Sequence, residues 1–153
     1  MRPFLDTNIL VYAATADDPS RQAMAQRLVA DIGLANITIS TQVLAETYNV
    51  LTRKKRWAVD DALQAVRGFK AMRIAVLGAD AVLAALELAA RHGLSTWDAM
   101  VIHAAQDAGC DTLYSEDLQN GRRFGVLQVV NPFLLAAHEA GDGGYAATAP
   151  RAG

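Results

Sequence analysis

Pro3-Phe4-Leu5-Asp6-Thr7-Asn8-Ile9-Leu10-Val11-Tyr12 opens the chain with an apolar run, a sudden acid, two capping-type side chains and a second apolar run. A short apolar segment ending at a turn signal reads as a buried strand. Thr7 and Asn8 offer capping oxygens to a helix through Ile9, Leu10, Val11 and Tyr12. The order is strand, acid, helix. Working outward, Asn36-Ile37-Thr38-Ile39-Ser40 alternates and is β-branched, which predicts a second strand. A helix is expected from Thr41 through Lys55, carrying Val43, Leu44, Val50 and Leu51.

The remaining segments repeat this alternation. Asp18-Pro19-Ser20 announces a helix from about Ser20 to Asp31, stopped at Gly33. Val59 to Lys70 reads as a helix, Arg73 to Leu77 as a third strand, and Ala79 to Arg91 as a helix ended by His92-Gly93. Ser95 to Ala108 is a further expected helix, Asp111 to Tyr114 a fourth strand, and Ser115 to Gly121 a polar loop. Val126 to Val130 is the last expected strand, and Asn131-Pro132 opens a helix through His138. Strands alternating with helices predict an α/β fold, a three-layer α/β/α arrangement around a mostly parallel sheet. The expected division is one domain, 1–139, followed by a flexible Gly-, Ala- and Pro-rich tail, 140–153.

Length and composition agree with one core: 153 residues, 52% of them hydrophobic. The formal net charge of −2 gives no global nucleic-acid signature, so any such surface must be local. Cys110 is the only cysteine, which excludes an internal disulfide and reads as a small buried thiol. No apolar run approaches the roughly 20 residues that span a bilayer. The chain reaches Asp6 too early for a signal-peptide apolar region. A cytoplasmic protein is the expectation.

Four acids then stand out: Asp6, Glu46, Asp98 and Asp117. Asp6 and Asp117 fall at or just after strand ends, where α/β folds collect their ligands. Glu46 lies three residues after Val43 and four before Val50, bordering the apolar stripe of its helix. A carboxylate there needs a hydrogen bond, an arginine or a metal. Each acid also has a plain reading. Asp6 suits an N-cap, Asp98 completes the capping-box spacing of Ser95-Thr96-Trp97-Asp98, and Asp117 suits a loop. If the four converge, clustered anions disfavour full ionisation. A divalent cation relieves that repulsion and can activate water against a phosphodiester.

Other polar features carry less. His92, His103 and His138 share no zinc-like spacing. Arg53-Lys54-Lys55-Arg56 reads as cations complementing a helix C-terminus. Arg122 and Arg123, just after the Asp117 loop, are the better candidates for gripping a nucleic-acid backbone. No aromatic-interleaved stacking platform is evident.

Four segments together resemble the PIN-domain nucleases, in particular the VapC-type toxins of toxin–antitoxin systems. Phe4-Leu5-Asp6-Thr7-Asn8 is similar to that family's first strand and acid. Ile39-Ser40-Thr41-Gln42-Val43-Leu44-Ala45-Glu46 is similar to the segment with the second acid, and Leu94-Ser95-Thr96-Trp97-Asp98-Ala99 to that with the third. Leu113-Tyr114-Ser115-Glu116-Asp117-Leu118 is similar to the strand and loop with the fourth. The match runs to about Phe133.

The resemblance implies a Mg²⁺- or Mn²⁺-dependent endoribonuclease that hydrolyses RNA with a metal-activated water. Asp6, Asp98 and Asp117 would hold metal, Glu46 would reach a second ion or act through water, and Thr7, Asn8 and Ser115 would orient them. It also implies a homodimer and a cognate antitoxin. The alternative is a non-catalytic PIN-like module that binds RNA or protein. A haloacid-dehalogenase-like phosphatase would want an aspartate where this chain has Asn8, and a receiver domain an acid where it has Thr7.

Overall fold

The computed structural model describes residues 1–134. The end of the last expected helix at His138 and the Ala140–Gly153 tail lie outside them. Six strands form one sheet: β1 Pro3–Leu5, β2 Thr38–Ser40, β3 Arg73–Ala75, β4 Thr112–Tyr114, β5 Arg123–Phe124 and β6 Leu127–Val130. Their spatial order is β3-β2-β1-β4-β6-β5. Every pairing is parallel except β5 with β6. β1 lies at the centre, with Phe4 opposite Thr38 on one side and Leu113 on the other. A strand covered on both faces has no solvated side to keep polar, so Pro3, Phe4 and Leu5 are all buried.

The helices are α1 Thr7–Ala14, α2 Pro19–Ile32, α3 Thr41–Asn49, α4 Val59–Gly68, α5 Ala79–His92 and α6 Thr96–Asp107. α1 packs on α2 and α3, and α3 on α4, while α5 pairs with α6, which also meets β2 and β3. The result is the three-layer α/β/α arrangement expected from the alternation. The core runs through Phe4, Leu5, Ile39, Val43, Ile102, Leu113 and Val129.

Three local differences from the sequence expectations matter. Of the two capping readings, the one for Asp6 holds and the one for Thr7 and Asn8 does not: Asp6 is the N-cap of α1, and its Oδ1 accepts the Thr7 backbone N–H at 2.8 Å. Thr7 and Asn8 therefore sit inside the helix, with their side chains available for other partners. The helix expected to run from Thr41 to Lys55 instead leaves α-geometry at Asn49 and finishes as a π-helical turn, Val50–Lys54. The Lys55 N–H donates to the Val50 carbonyl at 3.0 Å, and Arg56 follows with a left-handed φ of 58°. π-turns of this kind recur at functional sites. Finally, β5 was not foreseen. It is two residues long and folds back on β6 through Gly125, whose φ of 61° suits a tight hairpin. Val126 lies in that turn, 78% exposed, rather than in the strand.

Leu113 is fully buried in β4 beside β1. Leu113→Ala is expected to cost about 2–5 kcal/mol by leaving a cavity between these strands. The urea midpoint should fall with an unchanged slope.

Candidate active site in a carboxylate-lined cavity

From β1 the chain steps outward through β2 and β3, and from β4 it steps the other way. At such a reversal the loops beyond the carboxyl ends of the strands diverge and leave a crevice. Asp6 follows β1 and Ser115 follows β4. The Asp6 N–H donates to the Tyr114 carbonyl at 3.0 Å, stitching the two strand ends together. A cavity of about 460 Å³ is lined by Asp6, Glu46, Asp98 and Asp117. Thr7 and Asn8 line it as well; Ser115 is buried behind them.

Neutral donors hold these acids. Ser115 Oγ donates to Asp6 Oδ2 at 2.8 Å and accepts the Asp117 N–H at 3.2 Å. Asn8 Nδ2 donates to Asp117 Oδ2 at 3.1 Å and, at 3.4 Å, to Asp6 Oδ2. Asn8 Oδ1 accepts the Glu116 N–H at 3.2 Å. Ser115 and Asn8 thus fasten the loop carrying Asp117 to the acid at the end of β1. Glu46 accepts from Thr7 Oγ1 and from Gln42 Nε2, each at 2.8 Å. These bonds satisfy its position beside the apolar stripe, where an arginine was the competing expectation. Ser95 caps α6 by accepting the Asp98 N–H at 3.1 Å, but the Asp98 carboxylate does not return the bond of a full capping box. It faces the cavity instead.

The bases sort differently from expectation. Arg122 lies over the Phe124 ring at 4.7 Å, and Arg123 donates to Gln128 Oε1 at 3.2 Å; neither lines the cavity. Lys54 and Lys55 do, because the π-helical turn carries the basic run to the rim. The run itself was visible in the sequence, whereas the altered helical pitch was not. Glu116 is held by Arg21, whose Nε and Nη2 donate to Oε1 at 2.9 and 2.8 Å. The Arg21 guanidinium also pairs with Asp18 and stacks near the rings of Tyr12 and Phe133. A hydrogen bond to Glu116, with burial, pushes the Tyr12 phenol up to about 12.

The comparisons with known proteins match this architecture. The PIN-domain family model covers residues 4–122. The chain belongs to the PIN-domain family. Its fold resembles that of Mycobacterium tuberculosis VapC20, described as a sarcin–ricin loop cleaving toxin, at 27% identity and a TM-score of 0.64, over 75% of this chain and 89% of that one. It resembles VapBC2 from Rickettsia felis, bound to a DNA fragment from their promoter, at 24% identity and a TM-score of 0.60, over 86% and 98%. A toxin–antitoxin complex from Klebsiella pneumoniae aligns at 18% identity and a TM-score of 0.65, over 85% and 97%. No curated protein matches the sequence.

In this PIN domain the electrostatics of the four acids are uncompensated. Among the described residues none of them forms an ion pair. Burial pushes the Asp6 carboxyl up to about 6; the Ser115 hydroxyl and Thr7 N–H pull it down, and the Asp117 and Glu46 charges push it further up. The donors are all oxygens of the kind hard divalent cations take. Among the described residues, no three Asp, Glu, His or Cys side chains close on one point.

Two expectations follow from this network. Folded Asp6 titrates near 6 against an ordinary 3.8, so the fold holds this proton more tightly than the unfolded chain does. Its contribution favours folding below about pH 4 and is lost as pH rises through about 6. With chelator present, Asp6→Asn should therefore gain on wild type between pH 4 and 7, by on the order of 2–3 kcal/mol. Urea unfolding at four pH values checks this; a pH-independent difference would refute it. Separately, Arg21→Ala should speed hydrogen exchange at the Glu116 and Asp117 amides while leaving β1 protected. Arg21→Lys should restore protection only in part, because a point charge replaces a fork that also stacks.

Proposed function

We propose that this PIN domain is a metal-dependent endoribonuclease and the toxin of a type II toxin–antitoxin pair. The observation carrying the reading is the cavity itself, with four carboxylates along its lining and, among the described residues, no cation paired with them. Asp6, Asp98 and Asp117 would hold Mg²⁺ or Mn²⁺, and Glu46 would reach a second ion or act through water. Bound there, the metal would supply activation of water and neutralisation of charge developing on the phosphodiester.

The protein's own groups have narrower tasks. Ser115 and Asn8 fix the direction of the Asp6 and Asp117 oxygens, and Thr7 with Gln42 fixes Glu46. Changing a partner that orients a ligating carboxylate typically costs about 10- to 100-fold in metal affinity or activity. The products on this reading are a 5′-phosphate and a 3′-hydroxyl. VapC20, similar in structure at 27% identity, is described as a sarcin–ricin loop cleaving toxin, and another structural relative is a toxin–antitoxin complex. By extension this chain acts as a homodimer in the cytoplasm and is silenced by a small antitoxin. No helix among the described residues is long and apolar enough to cross a membrane.

A second reading, a PIN-like module that binds RNA or protein without cutting, draws on the finding that, among the described residues, no three metal-ligating side chains form a cluster. One assay separates the two. Structured RNA is incubated with Mg²⁺ or Mn²⁺ and either wild type, Asp98→Asn or Asp117→Asn. Nuclease action predicts a loss of cleavage of about 100-fold or more in each variant and complete loss in chelator. Equal cleavage by wild type and Asp98→Asn would remove Asp98 from the mechanism. Metal-independent RNA binding with no cleavage by any form would favour the second reading.

A further inference from the structure

Trp97 leaves 63% of its surface in water, although it lines the same cavity as Asp6 and Asp117 and stands next to Asp98. Aromatic rings carry a large gain on burial, so an indole left open beside a polar cleft is a surface in want of a flat partner. Its backbone is anchored. The Trp97 carbonyl accepts from Gln42 Nε2 at 3.4 Å, and the same nitrogen donates to Glu46 Oε1 at 2.8 Å. The backbone of Trp97 is thus linked through one side chain to a carboxylate of the site, while the residue stays mostly exposed. Lys54 and Lys55 line the same cavity. Lys55 is paired with Asp17 at 2.6 Å, whereas Lys54 is exposed and has no ion-pair partner among the described residues.

One chemistry uses an aromatic face and an uncommitted ammonium together: a nucleotide whose base is unstacked and whose phosphate is accessible. Any base can stack on an indole, because every base has a π-face. A continuous duplex keeps its bases inside the stack and presents only backbone and groove edges. We propose that Trp97 and Lys54 bind an unpaired nucleotide of the substrate RNA, the base against the indole and a phosphate on the ammonium. The site then takes single-stranded segments and loops rather than continuous duplex. This rests on the ribonuclease reading for the identity of the polymer, but its test is a binding measurement.

Labelled single-stranded RNA of about eight nucleotides is titrated with the protein in Ca²⁺, without Mg²⁺ or Mn²⁺, and followed by anisotropy. Quenching of indole emission is followed in a Trp57→Phe background, so that Trp97 alone reports. Trp97→Ala should weaken binding about 5- to 100-fold, Trp97→Phe should restore it to within about threefold, and Trp97→Leu should not. Lys54→Ala should lower the slope of log affinity against log salt by about one. The same strand annealed to its complement should bind at least about 10-fold more weakly and leave the indole unquenched. Melting temperatures of the variants check that each is folded. Wild-type affinity in folded Trp97→Ala would overturn the inference, including the case where that variant instead loses self-association or a protein partner. Equal affinity for duplex would also overturn it. Quenching and stacking-dependent affinity without cleavage in Mg²⁺ or Mn²⁺ would sustain it and remove the nuclease reading. Cleavage indifferent to both Trp97→Ala and strand pairing would do the reverse.

Discussion

Everything at the cavity depends on one carboxylate being buried where β1 ends. Asp6 is 6% exposed and has no cationic partner among the described residues, yet its backbone N–H pairs across to β4 and its Oδ1 caps α1. A buried carboxylate without a countercharge is unfavourable unless hydrogen-bonded. Three neutral donors supply that bonding: the Thr7 N–H, the Ser115 hydroxyl and the Asn8 amide. The price is a proton held more tightly than normal, at about 6. Two of these donors also have a second duty that draws in another part of the chain. Ser115 receives the Asp117 N–H, and Asn8 receives the Glu116 N–H while donating to Asp117. The loop after β4 is therefore positioned by what keeps Asp6 satisfied.

This coupling explains why Arg21 and Glu116 belong to the same account. Glu116 sits between Ser115 and Asp117, and the fork of Arg21, itself over the Tyr12 and Phe133 rings, ties it to α2. The guanidinium is committed to a carboxylate next in the chain to Asp117 and not to Asp117 itself. A structural anion receives the permanent countercharge, and the cavity anion keeps its oxygens open. That arrangement separates holding a loop from filling a site.

The sequence was most legible where one physical signal acted over several residues. Phe4 and Leu5 read as strand because both faces are covered, and Gly33 and Gly93 read as helix stops because each adopts a positive φ there. The acids were legible as strand-end or stripe-edge anomalies. What escaped were features set by tertiary context or by very short segments. β5 is two residues, too few for period-two alternation to register. The π-helical turn at Val50–Lys54 keeps an apolar stripe that an α-helix would also show, since Leu51 is buried either way. Missing it misplaced the bases: Lys54 and Lys55 reach the rim, while Arg122 and Arg123 spend their donors and faces on Gln128 and Phe124. Trp97 was passed over because a lone aromatic in a capping segment has no periodicity, and only its exposure beside the cavity makes it notable.

The choice of donors shows what the cavity is shaped to receive. An arginine or lysine beside Asp6 would lower its pKa and stabilise the empty fold, since opposite charge favours the ionised form. It would also occupy the carboxylate oxygens and repel an incoming cation. Serine, threonine, asparagine and glutamine instead orient Asp6, Glu46 and Asp117 while leaving the negative charge undiminished. Lys54, a lining ammonium with no ion-pair partner among the described residues, stands on a turn of different pitch from the helix that carries Glu46. Negative charge without a resident partner, neutral groups that aim it, and a separate cation and ring at the rim divide the cavity into a place for a metal and a place for a polyanion.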